Sequence, residues 1–227
     1  MAEITGLKLG PSAAVKEKRL AGLLAAAGRR ADERSLADAL VSAQVRGSLE
    51  LAGRVGTPEE AELAAGLRRA ISAVDPRAPF TVEASLKWQE ALTGDRSLRR
   101  QDRDRPGGPP PAPAMFVASR LAIVQEWLGG DSARELTPAQ QGALAYARLM
   151  EILPFDRGNG IVARLAASHL MVRAGSRPPI LVGADAERLE AALHAAFQLE
   201  TEPLARLLES GAERALDVLL ETLSANG

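Results

Sequence analysis

Twelve consecutive residues, Leu153 to Arg164 (L-P-F-D-R-G-N-G-I-V-A-R), hold the chain's greatest concentration of groups that could do chemistry. Gly158, Asn159 and Gly160 lead into an Ala/Leu-rich segment of helical pattern. Glycine tolerates the turns in which successive backbone N–H groups converge, and a helix start adds a positive field, so this tripeptide can grip a phosphate. Arg157 and Arg164 add guanidinium groups suited to phosphate oxygens, and Asn159 can donate to a phosphate or brace the loop. The glycines are equally well accounted for if they serve only the turn. Asp156 is the segment's lone carboxylate and reads most simply as a solvated loop charge. No histidine lies within the segment. His169 follows five residues after Arg164, about 140° round a helix, and reads as a satisfied structural residue; His194 has no partner motif. Without a base that titrates near neutrality, the loop is better equipped to hold an anion than to move a proton.

Helices must position this loop. T-P-A-Q at Thr137–Gln140 is a cap followed by proline, predicting a helix over Thr137–Ile152, with a second from Gly160 to Ala174 and Phe155 buried beneath the loop. Upstream, apolar spacing predicts helices over Ser12–Ala27 (with Leu20, Leu23 and Leu24), over Asp32–Leu51 (with Leu36, Leu40 and Val45 in the core), and from Thr57 to about Val74. Thr57 is expected to accept from the N–H of Glu60, with Pro58 opening that helix. Further helices are expected over Val82–Leu92, Met115–Leu128, Asp185–Phe197 and Pro203–Ser224, with Trp88 and Trp127 in the core. The first ten residues read as a loose arm. Between Thr93 and Ala114 charges, prolines and glycines exclude both helix and central strand.

Aromatic residues make up only 3% of the chain while Ala and Leu abound, which favours an all-α fold packed on small side chains. Basic and acidic residues number 28 and 29, so no global field draws the chain to nucleic acid or an anionic membrane. Cysteine is absent, ruling out disulfides and thiolate metal sites. No signal-like or membrane-spanning apolar run is present, and the expected location is cytoplasmic.

The Leu153–Arg164 segment resembles the Fic family motif H-P-F-x-[D/E]-G-N-G-R-x-x-R, matching it at Pro154, Phe155, Gly158, Asn159, Gly160 and Arg164. Three positions depart. Leu153 stands where the family has its catalytic histidine, Arg157 where it has the metal-binding acid, and Ile161 where it has the first arginine. The similarity extends over roughly Val82 to Leu208. A second resemblance lies upstream: Ser48-Leu-Glu-Leu-Ala52-Gly53 is similar to the family's inhibitory pattern [S/T]-x-x-x-E-[G/N], with Ser48 and Gly53 kept and the glutamate replaced by Ala52. In the family that glutamate pairs with the motif's second arginine, here Arg164, and blocks productive ATP binding.

The resemblance implies an all-α Fic-like bundle with a long irregular flap, an N-terminal helical region over residues 1–81 and a core over 82–227. The family transfers AMP, or another phosphate-containing group, to a protein hydroxyl. The three departures imply a catalytic set without its histidine, no certain cofactor, and ATP with Mg²⁺ only if activity remains, with Asp156, one position from the family's acid, a weak candidate metal ligand. A protein partner is expected, an acidic one if the 94–113 loop docks it, because five arginines face two aspartates between Arg96 and Arg105. A solvated loop is the competing account of that run. Two other readings stand beside the binding or regulatory module. One is an enzyme of altered chemistry acting through Asp156, Arg157, Asn159 and Arg164. The other is a DNA-binding regulator using helices near Asp32–Ala73, which the near-zero net charge disfavours.

Overall fold

The computed structural model describes residues 11–27, 33–105 and 108–225. Among them are ten α-helices and no strand. They are α1 (Pro11–Ala27), α2 (Glu33–Leu51), α3 (Glu60–Ser72), α4 (Val82–Thr93), α5 (Val117–Gly129), α6 (Asp131–Arg134), α7 (Pro138–Ile152), α8 (Asn159–Arg173), α9 (Ala186–Phe197) and α10 (Glu202–Ala225). The expected N-terminal arm falls outside the described residues.

α7 starts as its sequence signals. The Thr137 hydroxyl accepts from the Gln140 N–H, the Gln140 side chain accepts from the Thr137 N–H, and Pro138 occupies the first helical position. Together α7 and α8 form the centre of the bundle, packed on each other, and both bury alanines: Ala143 and Ala147 on α7, Ala163 and Ala167 on α8. Around them the main core collects Val45 of α2, Leu67 of α3, Trp88 of α4, Leu121 of α5 and Leu208 of α10. A smaller cluster joins Leu20 of α1 to Leu216, Leu219 and Leu220 of α10. Leu36 and Leu40 pack against this second cluster, whereas Val45 belongs to the main core.

Two expectations are corrected. Thr57 does not cap α3. Gly53 and Gly56 both take positive φ (61° and 75°), so the chain is still turning at Pro58, and the Thr57 hydroxyl donates to the Arg54 carbonyl at 2.9 Å. α3 begins at Glu60. Trp127, unlike the fully buried Trp88, keeps 39% of its surface exposed, because α5 presents that side to an open groove.

His169 is 1% exposed between Phe80 and Trp88, with ring centroids at 6.4 and 5.5 Å, and neither ring nitrogen has a hydrogen-bond partner. It is structural, as expected, but not satisfied. Burial first, then the nearby Arg173 charge, pulls its pKa below the ordinary value, with Asp75 opposing. Above about pH 6.5 both folded and unfolded chains hold a neutral imidazole. Below it the unfolded chain binds a proton that the native site resists, so stability declines as pH falls. Urea midpoints measured from pH 7.5 to 5 are expected to drop for the wild type and to drop less for His169→Leu.

Candidate functional site

The twelve-residue segment forms the junction of α7 and α8. α7 ends at Ile152 and is capped by Leu153, which adopts a left-handed conformation (φ 48°), unusual for a leucine. The chain then turns through Pro154–Gly158 over the fully buried Phe155. Gly158 also takes positive φ (81°), and a Cβ there would lie 2.9 Å from Leu92 Cδ2. Turn and packing both require glycine at this position. Gly160 is unconstrained in this way, the nearest heavy atom to its would-be Cβ being Arg164 Nη1 at 3.7 Å.

Asn159 is 8% exposed and braces the loop. Its Oδ1 accepts from the Phe155 N–H at 2.9 Å and its Nδ2 donates to the Phe155 carbonyl at 2.7 Å. Arg157 folds back onto α4: its Nη2 donates to the Thr93 carbonyl at 3.1 Å, while Gln89 Nε2 donates to the Arg157 carbonyl at 3.1 Å. Asp156 points to solvent. A guanidinium at position 157 repels a divalent cation and a single exposed carboxylate supplies one ligand, so this donor set does not fit Mg²⁺.

Arg164 is the segment's open polar group. It is half-buried, its Nη1 lies 3.4 Å from the Tyr146 hydroxyl, its Nε has no partner, and it makes no ion pair among the described residues. Arg164, Ile161, Ser48 and Gln44 line a void of about 20 Å³, room for about one water. α2 therefore brings Ser48 beside Arg164. Ala52 lies one turn further along, its N–H donating to the Ser48 carbonyl at 3.1 Å. Glu50, the nearest acid in that stretch, accepts from the Gly183 N–H and from Arg46, each at 3.0 Å. These contacts, the Gly183 N–H foremost, hold its pKa below the ordinary range.

Sequence reasoning missed Arg99. Only 2% exposed, it carries its guanidinium inward from the flap, donating to the carbonyls of Leu153 (2.6 Å), Gln101 (2.7 Å), Ile152 (3.1 Å) and Ala112. Its own N–H donates to the Pro154 carbonyl at 2.9 Å. Burial lowers its pKa, with Asp102 opposing. Arg105 likewise turns inward, donating to the Met150 carbonyl and stacking 4.5 Å over the Phe197 ring. Arg96 pairs with Glu83 and Glu90. Of the five flap arginines, Arg100 and Arg103 remain facing solvent without an ion pair among the described residues, so the loop presents far less positive charge than its sequence suggests. An arginine inside a charged run carries no sequence mark of burial; the adjoining Leu98 was the one available hint.

No family model matches the chain. It is 32% identical over 106 residues to protein adenylyltransferase fic-1 of Caenorhabditis briggsae, an alignment covering 47% of this chain and 21% of that protein. The chain thus matches about a fifth of the length of such curated relatives. Among solved structures, a Fic-domain-containing signalling protein from Bacteroides thetaiotaomicron superimposes with a TM-score of 0.76 at 16% identity, covering 94% of this chain and 98% of that one. IbpAFic2 covalently tethered to Cdc42 gives 0.55 at 17% identity, covering 77% and 63%. No helix among the described residues is long and apolar enough to cross a membrane. The chain thus has the bundle fold of Fic-domain proteins, is similar in sequence to Fic adenylyltransferases over 106 residues, and carries a P-F-x-x-G-N-G-x-x-x-R signature between its two central helices.

Proposed function

We infer that this Fic-fold protein does not transfer AMP and acts as a binding or regulatory module. The observation that carries the reading is the state of the α7–α8 loop. Leucine, arginine and isoleucine replace base, acid and first arginine, the surviving Asn159 spends its amide on the Phe155 backbone, and Arg157 turns one donor to the Thr93 carbonyl. A positioned base alone is typically worth on the order of a hundred- to ten-thousandfold in rate. Gly158, Gly160 and the α8 N-terminus keep the backbone of a phosphate site, with Arg164 as its available cation. Residues 1–81 then carry the remnant of the inhibitory helix, with Ser48, Ala52 and Gly53 in its register, and 82–227 the Fic-like core. A protein partner fits the reading, as the related IbpAFic2 is tethered to Cdc42.

The second reading is a divergent enzyme that transfers AMP or another phosphate-containing group. The open Arg164 favours it. Purified protein incubated with ATP labelled at the α-phosphate and Mg²⁺ separates the two. No label is expected on the chain itself or on added Cdc42; robust labelling by the wild type overturns the first reading.

A further inference from the structure

Two of the exposed large apolar side chains, Ile123 and Trp127, lie one turn apart on α5, 61 and 39% exposed. They share a side of the helix with Arg120, and the stretch from Arg120 to Leu128 spans about 12 Å at 1.5 Å per residue. Beside them a groove of about 690 Å³ opens between α5, the C-terminal half of α7 and the wall formed by Pro110–Pro113. Its floor is Leu144 and Ile152. Two of its three charged lining groups, Arg148 and Glu151, pair with each other. The third, Arg120, is exposed at the groove and makes no ion pair among the described residues.

We propose that this groove docks an amphipathic helical segment of a protein partner, apolar on one side and bearing a carboxylate that meets Arg120. Charge complementarity sets the acid: the lining carries one uncompensated positive charge beside an apolar trough. The length of the stripe matches about two helical turns. The proline wall sets the backbone type, since Pro110, Pro111 and Pro113 have no N–H with which to pair an added strand, whereas a helix satisfies its own backbone. A patch of this kind is characteristic of protein contact sites. The proposal rests on the binding-module reading for the class of partner, and its test does not involve AMP transfer.

The test is selection of phage-displayed, helix-forming peptides of about sixteen residues on the full-length protein, followed by titration of the selected peptides. Trp127 reports binding by a blue shift in its emission; Trp88, 1% exposed, does not respond. Enriched peptides are expected to carry apolar residues at i, i+4 and i+7 with a flanking Asp or Glu. Arg120→Glu, on an exposed position, is expected to weaken them about tenfold with its circular dichroism unchanged, and exchanging the peptide's acid for Lys should recover that loss. Three results overturn the proposal. One is no enrichment over a Trp127→Ala counter-target, and another is binding indifferent to Arg120→Glu. The third is a wild-type dimer in sedimentation that Ile123→Glu separates, which would make a second copy the occupant. AMP labelling by the wild type would instead remove the binding-module reading and leave the peptide result standing.

Discussion

Replacing Arg99 by alanine should cost about 3 kcal/mol or more of folding stability, read as a urea midpoint shift or a fall in Tm of roughly 6–12 °C. The guanidinium serves the carbonyls of Ile152, Leu153, Gln101 and Ala112 from a position 2% exposed. Removing it strands these acceptors, each costing about 1–3 kcal/mol where water cannot replace the donor. Arg99→Lys should restore only part, because an ammonium cannot spread its donors across a planar fork. Arg100→Ala, one residue on and exposed, should stay within about 0.5 kcal/mol. Equal effects at both positions would mean that the inward contacts contribute nothing.

The largest gain of function is expected from the combined variant Leu153→His, Arg157→Asp, Ile161→Arg. It returns base, metal-binding acid and first arginine to a loop whose Gly158, Asn159 and Arg164 are already set by the α7–α8 turn. Each single replacement should stay at the wild-type background, since groups that act as a unit fail together. The triple variant should exceed that background by about a hundredfold or more in labelling from α-phosphate-labelled ATP. Adding Ala52→Glu should suppress it again, because α2 brings Ser48 to the void that Arg164 lines and position 52 follows one turn later. A folded but inert triple variant would show that the nucleotide pocket or the flap has diverged along with the motif.

Most of the helices were legible because they carry their own local signals. The Thr137 cap, the proline after it and the apolar spacing of α7 and α8 act within a few residues, as does the need for Phe155 under a tight turn. Thr57 misled because a cap-proline pattern says nothing about two preceding glycines that prolong the turn. Trp127 misled because its size argues for burial, whereas exposure depends on whether another element covers α5. Arg99 was invisible for the converse reason: its burial is decided by carbonyls some fifty residues away, at the end of α7. In the site, residue types carry the resemblance, but only the folded loop lets Asn159 spend both ends of its amide on Phe155.

Leu153 keeps a backbone conformation that its side chain disfavours. The turn holds it there, through the Arg99 bond to its carbonyl and the α7 bond from its N–H to the Leu149 carbonyl at 2.9 Å. The loop's trace is thus written by its neighbours and not by the residue that would do the chemistry. The bonds that hold the turn come from the backbone of position 153, so they form for any side chain that a left-handed backbone admits. At this position shape and chemistry are separable, and either can change without the other.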